Sequence, residues 1–346
     1  MNIRIVVCSW AATALAAIAG PAIAASTVVV YSATDRELVE PLIADFELTH
    51  PDIKVDYREL QSSVLYNRFL KEAETGAQAD IVWSSAMDLQ MKLVNDGYAR
   101  PHRSSETVAL PPWAVWNNEA FGTTFEPVGF AYNRRSLDAG AIPQTHAELI
   151  RLLGERPERF RNRITTYSPR HSGLGYLLHS QDLEANPVAF WTLLQVLDRV
   201  GLTVEMTTNE MLDRIAEGRA LLGYNVLLSY ALVRARTDPR IGVVLPKDYT
   251  LVMSRIIFIN RDAPHPDAAK AWLDHVLSKR GQSVLNRAGF LSVRTDIEGE
   301  GSAAMLRKEL GNAFRPIALN TGLLTYLDQM KRELFLTRWD ATLKGR

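Results

Sequence analysis

The feature that most limits the folds open to this chain is a repeated order of apolar run, polar turn and helical pattern. The runs Thr27–Tyr31, Ile53–Tyr57 and Asp80–Trp83 each read as a buried strand, and hydroxyl side chains and a helical pattern follow each of them. Successive units of this kind pair their strands in parallel through right-handed crossovers. The pattern therefore predicts an α/β fold.

The composition fits a globular protein of about two domains. The chain has 346 residues, of which 47% are hydrophobic and 23% charged, and a domain commonly holds about 150 residues. So apolar a chain can bury a sizeable core, which argues against disorder. The 39 Lys and Arg residues equal the 39 Asp and Glu residues. We therefore expect no nucleic-acid partner, because a nucleic-acid surface needs a basic excess.

The N-terminus has the layout of a secretory signal peptide. Arg4 is its only charge, an apolar stretch covers residues 5–19, and small residues surround a cleavage point after Ala24. The alternative is a first buried helix. We predict that residues 1–24 are removed and that the protein is exported to the periplasm. Cys8, the only cysteine, leaves with this segment, and no later run reaches the roughly 18 apolar residues of a membrane helix.

The second half of the chain continues the α/β pattern without an internal repeat or a low-complexity linker. Strands are predicted at 125–132 and 251–259, and a last helix at about 323–339. We infer that a second lobe is inserted within the first. The predicted division is 25–127 and 260–346 for the first lobe and 128–259 for the second, with hinge strands at about 126–133 and 251–259.

Catalytic motifs are absent from the sequence. It contains no Gly-x-Ser-x-Gly elbow, no Walker loop, no Gly-x-Gly-x-x-Gly and no His-Glu-x-x-His, and its seven histidines lack metal-ligand spacing. We predict a protein that is not an enzyme and that has no cofactor and no bound metal. A hydrolase assembled from distant residues is the alternative.

Hydroxyl side chains cluster in the turns of the first lobe. They lie where strands end and helices begin, at the sheet edge where open α/β folds bind ligands. Two of these turns have capping-box spacing, Thr34 with Glu37 and Ser85 with Asp88. Plain helix capping is the alternative for any single residue. The candidate ligand contacts of this lobe are Ser32, Thr34, Ser84 and Ser85.

The second lobe offers anion-binding turns. Ser172-Gly173 and Thr207-Thr208 each precede a helical pattern, and a helix N-terminus presents N–H groups to an anion. Arg170 and His171 stand beside the first turn, with surface charges as the alternative reading of both.

Arg255 interrupts the apolar run 251–259. A buried guanidinium must find a partner or a wet cleft. A salt bridge to Glu126 and a contact with a ligand are both open, and the two are compatible.

Several segments, in this order along the chain, are together typical of one known family. They are the N-terminal segment, the turn 32–34, Ala79–Ser85, Val128–Asn133, Tyr167–Gly173 and the helix at 267–278. They resemble the extracellular solute-binding proteins of ABC importers, family 1, in the branch that binds ferric iron, sugar phosphates and phosphonates. The resemblance implies a two-lobed periplasmic-binding-protein fold, with mostly parallel sheets flanked by helices and joined by crossing hinge strands. It also implies lobe closure on a small ligand and delivery to a membrane permease.

The resemblance also bears on the ligand. Where iron-binding members place a tyrosine pair, a carboxylate and a histidine, this chain has Asn225 and Val226, Ser85, and Asp35. Three of these four cannot supply the anionic oxygen that a ferric ion needs. The anion-holding turns are kept at Ser172, Gly173 and Thr208.

With Arg170, His171 and Arg255, these turns favour a small organic anion, a phosphorylated or phosphonate compound before a carboxylate. Tyr224 and Asn225 are expected to line the second-lobe wall. Two alternatives stay open, ferric iron as the ligand and a sensor histidine kinase as the partner of the loaded protein. We also expect a monomer.

Overall fold

A computed structural model describes residues 26–76, 78–297 and 303–343. The predicted signal peptide, residues 1–24, lies outside the described residues. No helix in the described ranges is long and apolar enough to cross a membrane.

The described chain contains two mixed sheets flanked by helices. The strands are β1 (Ser26–Ser32), β2 (Ile53–Glu59), β3 (Ile81–Ser84), β4 (Ala99–Arg100), β5 (Val115–Trp116), β6 (Ala120–Gly122), β7 (Thr124–Asn133), β8 (Ile164–Tyr167), β9 (Leu202–Glu205), β10 (Leu222–Leu227), β11 (Ile241–Val244), β12 (Thr250–Met253), β13 (Ile256–Asn260), β14 (Leu291–Ser292) and β15 (Phe314–Pro316).

The helices are α1 (Arg36–Thr49), α2 (Ser62–Thr75), α3 (Met87–Asn95), α4 (Ser105–Val108), α5 (His146–Glu155), α6 (Pro157–Phe160), α7 (Gly173–Ala185), α8 (Pro187–Val200), α9 (Thr208–Ala216), α10 (Leu228–Thr237), α11 (Pro266–Leu277), α12 (Lys279–Arg287), α13 (Ala303–Leu310) and α14 (Gln329–Thr342). Short 3₁₀ helices cover Pro112–Ala114, Ala139–Ala141, Gly311–Ala313 and Thr321–Leu327.

The first sheet has the order β2-β1-β3-β13-β6-β5, with β4 paired to β13. The three N-terminal strands are parallel, and Val30 of β1 lies beside Tyr57 of β2 and Ile81 of β3. Helix α1 buries Val39, Leu42, Ile43 and Phe46 against this sheet, one face of a 3.6-residue period. The predicted strand–helix units are thus present, while β13 and β6 add antiparallel pairs.

The second sheet has the order β15-β12-β7-β10-β8-β9, with β11 and β14 also paired to β7. Strands β8, β9 and β10 pair in parallel, whereas β7 is antiparallel to each of its partners. The two-lobed α/β fold is as predicted. The expectation of mostly parallel sheets holds only within the strand–helix units.

The chain passes between the sheets at two neighbouring points. It leaves the first sheet at Thr123, between β6 and β7, and returns at Ser254 and Arg255, between β12 and β13. Hydrogen bonds join the two crossings: the Thr123 N–H donates to the Arg255 carbonyl at 2.9 Å, and the Arg255 N–H donates to Thr124 Oγ1 at 2.9 Å. The single strand predicted at 251–259 is therefore two strands of different sheets.

We define the first lobe as residues 26–123 and 256–290 and the second lobe as residues 124–253. This division differs from the predicted one, which assigned 124–127 to the first lobe and 254–259 to the second. The reason is that the sheets change at Thr123 and at Ser254-Arg255.

The C-terminal segment, residues 303–343, contacts both lobes, whereas the prediction assigned it to the first lobe. Strand β15 pairs with β12 of the second sheet, and Leu323 packs in a core cluster that includes Met87 of α3. Helix α14 places Phe335 and Trp339 in the second-lobe core. The helix predicted at 323–339 is a 3₁₀ helix followed by α14, because Asp328 caps a new helix by accepting from the Lys331 N–H at 3.0 Å.

Candidate functional site

A cavity of about 370 Å³ lies between the two lobes. Its size is within the range of small-molecule sites. The first lobe contributes the turns that follow β1, β2 and β3, and the second lobe contributes the N-termini of α7 and α9 and one face of α10. The lining residues are Ala33, Asp35, Glu59, Leu60, Gln61, Ser62, Ser85, Tyr167, Ser172, Leu174, Met206, Thr207, Thr208, Asn209, Leu227, Tyr230 and Arg255.

Two serine hydroxyls of the first lobe face this cavity without a partner. Ser62 and Ser85 are only 7% and 3% exposed, and neither hydroxyl has a hydrogen-bond partner within the part of the chain that the structure describes. Ser85 was predicted as a ligand contact. Buried hydroxyls are normally hydrogen-bonded, so both are suited to contact a ligand.

Two helix N-termini of the second lobe point at the cavity. Ser172 caps α7 by accepting from the Gly175 N–H at 3.1 Å, and Thr207 caps α9 by accepting from the Glu210 N–H at 3.2 Å. The Glu210 carboxylate completes a capping box on α9. The first N–H groups of a helix have no partner within that helix. Together with the positive end of each helix dipole, they form an anion-binding surface.

Thr208 is held in place by a buried tyrosine. The Tyr167 hydroxyl and Thr208 Oγ1 share a hydrogen bond, and both residues line the cavity. Burial raises the pKa of Tyr167 well above its usual range. The phenol therefore stays protonated and can act as a neutral hydrogen-bonding group.

Arg255 forms the salt bridge to Glu126 that the sequence left open, and it also lines the cavity, where a ligand contact stays a prediction. Its side chain is almost fully buried, and Nε donates to Glu126 Oε1 at 2.8 Å. Its Nη1 donates to Thr34 Oγ1 at 2.9 Å, and its guanidinium lies 4.8 Å from the centre of the Phe290 ring. Glu126 lies on β7 of the second lobe and Thr34 in the first. Arg255 thus lies in the crossing between the lobes, forms the ion pair and lines the cavity.

Four predicted residues line the cavity together, Ser85, Ser172, Thr208 and Arg255. Three others lie behind the first-lobe wall. Ser32 Oγ accepts from the Thr34 N–H at 3.1 Å, and Ser84 Oγ accepts from the Ala86 N–H at 3.2 Å. Thr34 contacts Arg255 and does not cap α1, whose N-cap is Asp35, and Ala86 rather than Ser85 precedes α3. The two predicted capping boxes of this lobe are therefore not formed.

Arg170, His171 and Gly173 are not among the residues that line this cavity. Arg170 and Gly173 line a second cavity of about 270 Å³, which shares Ser172 with the first. Arg170 is paired with Asp340 of α14. The His171 carbonyl accepts from Gln61 Nε2 at 3.1 Å, a bond between the lobes. The side chains of Arg170 and His171 are therefore not part of the first cavity wall, whereas the Gly173 N–H belongs to the N-terminus of α7, beside the lining residues Ser172 and Leu174.

Tyr224 and Asn225 lie in the second-lobe core instead of on the cavity wall. The Tyr224 ring packs near Phe130 and His146, with centroid distances of 6.3 and 6.2 Å. Asn225 has a φ of 58° and places Nδ2 3.4 Å from His179 Nδ1. Strand β10 is buried on both faces, so neither side chain reaches the cavity.

Two acidic residues on the wall were not predicted as ligand contacts. Asp35 Oδ1 accepts from the Tyr230 hydroxyl at 3.1 Å, and Asp35 Oδ2 accepts from Asn209 Nδ2 at 3.0 Å. Glu59 accepts from the Arg36 N–H at 2.8 Å. The place of Asp35 between β1 and α1, on the same sheet edge as the serines, is a signal that could have identified it. Tyr230 lies within α10, and no sequence signal separates it from other helix residues.

No group of three or more His, Cys, Asp or Glu side chains in the described ranges is arranged to hold a metal ion.

Residues 28–291 match the sequence profile of the bacterial extracellular solute-binding proteins. The chain belongs to this family.

Solved structures agree with the family. A substrate-binding protein of an ABC transporter from Agrobacterium tumefaciens is 38% identical, with a TM-score of 0.88 over 92% of this chain and 95% of that chain. AfuA from Actinobacillus pleuropneumoniae, solved with fructose-6-phosphate, is 19% identical, with a TM-score of 0.74 over 93% and 99%. Iron-bound HitA from Pseudomonas aeruginosa is 15% identical, with a TM-score of 0.74 over 92% and 99%. The last two similarities show the fold alone.

The comparison with curated proteins finds no match. This solute-binding protein is the substrate-binding component of an ABC transporter and not an enzyme, as predicted. Its family is extracellular, its ligand is a small molecule, and its partner is an ABC transporter permease.

Proposed function

We propose that this solute-binding protein captures a small organic compound with an anionic group in the cavity between its lobes. The observation that carries the proposal is the convergence of the α7 and α9 N-termini with the guanidinium of Arg255 on one cavity. Ser172, Thr208 and the first N–H groups of both helices hold the acidic group, which is a phosphonate, a phosphate monoester or a carboxylate. Lobe closure then sequesters the ligand for the permease.

The bonds between the lobes support this mechanism. Asp35 of the first lobe accepts from Asn209 and Tyr230 of the second, and Gln61 donates to the His171 carbonyl. A ligand that contacts both walls adds to these bonds, and it favours the closed form by its differential affinity for that form. A sensor kinase could recognise the same closed form, so lobe closure does not distinguish the two partners. The family supports the permease.

Ferric iron, the alternative ligand, has less support. Tyr167 and Tyr230 are the lining tyrosines in the described part of the chain, and burial raises the pKa of both well above the usual range. Metal binding requires deprotonated ligands. Each phenol is also hydrogen-bonded to a neighbouring side chain. A ferric ion would have to break these bonds and remove the phenol protons, which the raised pKa values make unfavourable.

A thermal-shift panel tests the proposal. Phosphonates, phosphate monoesters, carboxylates, neutral sugars and ferric citrate are compared, and a ligand at 100 times its Kd stabilises the protein by about 2.7 kcal/mol. We expect stabilisation by at least one organic anion. Stabilisation by ferric citrate but not by citrate without iron, or stabilisation by neutral sugars alone, would refute the proposal.

A matched pair of serine variants locates the site. Ser172 and Ser278 both cap helices, of α7 and α12, and each accepts from an N–H three residues further on. Each Ser→Ala change should cost about 1 kcal/mol of stability. Only S172A should weaken anion binding, by about tenfold, because it removes a donor worth about 1.4 kcal/mol at the cavity. Equal affinities of the two variants would place the anion elsewhere.

A further inference from the structure

The first-lobe side of the cavity carries negative charge that no neighbouring cation balances. The Asp35 carboxylate faces the cavity, and its recorded partners, Tyr230 and Asn209, are both neutral. Within the described residues, Asp35 has no salt bridge. Each oxygen of the Asp35 carboxylate accepts one hydrogen bond. A carboxylate oxygen can accept more than one, so the Asp35 charge is available to a ligand.

Glu59 adds a second negative charge to the same wall. Its carboxylate accepts from the backbone N–H of Arg36, the first residue of α1. The Arg36 guanidinium does not neutralise it, because Nε of that side chain lies 3.0 Å from Glu40 Oε2 and Nη1 donates to the Tyr57 carbonyl. Glu59, like Asp35, forms no ion pair in the ranges described.

The cation that lines the cavity is already paired. Arg255 is the one Lys or Arg among the lining residues of the described chain, and its guanidinium lies 2.8 and 3.3 Å from the two oxygens of Glu126. The pair leaves Asp35 and Glu59 without a cationic side chain of their own, and the charged side chains that line the cavity sum to a negative charge. A ligand with only acidic groups would be attracted to the second-lobe wall and repelled by the first.

The unpartnered hydroxyls of Ser62 and Ser85 lie on this same first-lobe wall. They are independent of the two carboxylates, and both are more than nine-tenths buried. A hydroxyl oxygen can also accept from an ammonium group, and the carboxylates form the stronger, charge-assisted bonds to it. The first lobe therefore presents two carboxylates, with two hydroxyls that can accept beside them, whereas the second lobe presents the N–H groups of two helix N-termini.

From this division we infer that the ligand is a small zwitterion. Its ammonium group lies against Asp35 and Glu59 with the serine hydroxyls, and its acidic group lies at the N-termini of α7 and α9. An ammonium group has three donors and no acceptor, which matches a wall of acceptors. The inference rests on the proposed function, since it takes the position of the acidic group from it and adds the class of the second group.

Isothermal titration calorimetry of the exported protein tests the inference. The probes are ω-aminoalkyl phosphonates and ω-amino carboxylates with two to four carbons between the groups, their analogues without the amine, and the alkylamines alone. We expect the best zwitterion to bind at least tenfold more tightly than its analogue without the amine.

Two variants at the start of α1 locate the ammonium group. D35N and E37Q each remove one negative charge from the first turns of this helix, and Glu37 is exposed and does not line the cavity. D35N should reduce the preference for the amine to less than threefold, and E37Q should leave it unchanged. Matching unfolding midpoints of the two variants show that the fold is intact.

The outcomes separate this inference from the proposed function. If phosphonates or carboxylates bind equally well with and without the amine, the zwitterion is refuted and the proposed function stands. If alkylamines bind and acidic compounds do not, the proposed function is refuted and the role of Asp35 stands. Equal effects of D35N and E37Q refute the assignment of the ammonium group to Asp35. A panel in which nothing binds refutes both.

Discussion

At the scale of single residues, the ion pair of Arg255 and Glu126 joins stability to ligand binding. Glu126 is fully buried and also accepts from Ser229 and Thr124, at 2.6 and 2.7 Å. Removing one member of a buried pair leaves the other charged and without compensation. The pair therefore constrains the fold as well as the cavity.

The change Arg255→Ala should lower the free energy of unfolding by about 3–5 kcal/mol, measured by urea denaturation. Arg161, whose partner is Glu158 on the surface, provides the control, and R161A should leave the urea midpoint unchanged. A wild-type midpoint for R255A would show that Glu126 is compensated by other groups.

Asp88 should give the protein a pH-dependent stability. It is buried beside the second cavity, near Lys92 and Arg332, and burial raises its pKa from 3.8 to about 7. The folded state therefore binds this proton more tightly than the unfolded state does. Its contribution makes stability fall as pH rises from about 4 to about 7, at up to about 1.4 kcal/mol per pH unit, and level off above that.

The change Asp88→Asn replaces the titrating carboxyl group by a neutral amide and keeps an oxygen that can accept from the Leu89 N–H. D88N should be more stable than the wild type at pH 8, and this advantage should nearly vanish by pH 4. Denaturation curves at several pH values measure it. A stability difference that is constant with pH would contradict the assignment.

The sequence predicted residues that line the cavity where a local pattern determines their place in the fold. Ser172 and Thr208 lie at helix N-termini, and Ser85 lies at the end of a strand, all of which short patterns reveal. The expected place of Tyr224 and Asn225 on the cavity wall is not found. A strand that is buried on both faces, as β10 is, has the same sequence pattern as a strand whose end opens into a cleft. Asp35 was considered only as an iron-ligand position, since its contacts with α9 and α10 are distant in sequence.

At the scale of elements, α14 is a helix with one buried and one exposed face. Phe335, Leu336 and Trp339 pack in the second-lobe core. The ring centroids of Trp339 and His179 are 4.5 Å apart. Leu334, on the other face, is 64% exposed. The helix thus holds the C-terminal segment to the second lobe by one apolar face.

Trp339→Ala should lower the free energy of unfolding by about 3–5 kcal/mol, because it leaves a cavity in the core. Leu334→Ala should change it by less than about 0.5 kcal/mol. Thermal or urea unfolding of both variants measures the difference. Equal losses would mean that α14 does not pack as described.

The element pattern was predictable where it is local, as in α1 and α9. It failed at 251–259, because Ser254 and Arg255 have the apolar neighbours of a strand, while the Ser254 hydroxyl and the Arg255 backbone bond to the other crossing. Such a break depends on a partner about 130 residues away, which no short window contains.

At the scale of the whole molecule, the balance of 39 basic and 39 acidic residues leaves almost no long-range field. The polar groups on the cavity wall are helix ends, hydroxyls, two carboxylates and one paired guanidinium, and in the proposed function these are the groups that act on the ligand. Long-range fields speed association, whereas local donors slow dissociation.

The association rate constant of the ligand should therefore change by less than about twofold between low salt and about 0.2 M NaCl, whereas steered associations change roughly tenfold or more. Stopped-flow fluorescence with the best ligand of the titration panel measures it. A steep fall of the rate with salt would indicate a charged approach surface.

The crossing at Arg255 has a consequence for anyone who redesigns this receptor as a biosensor. Arg255 lies both in the crossing and on the cavity wall. A substitution there would therefore alter the choice of ligand and the movement between the lobes at the same time. Substitutions at Arg255, Glu126 or Thr34 would change the signal of a reporter fused across the lobes even when affinity is restored. Ser62 and Ser85 lie on the wall without such contacts, so a library aimed at new ligands should begin with them.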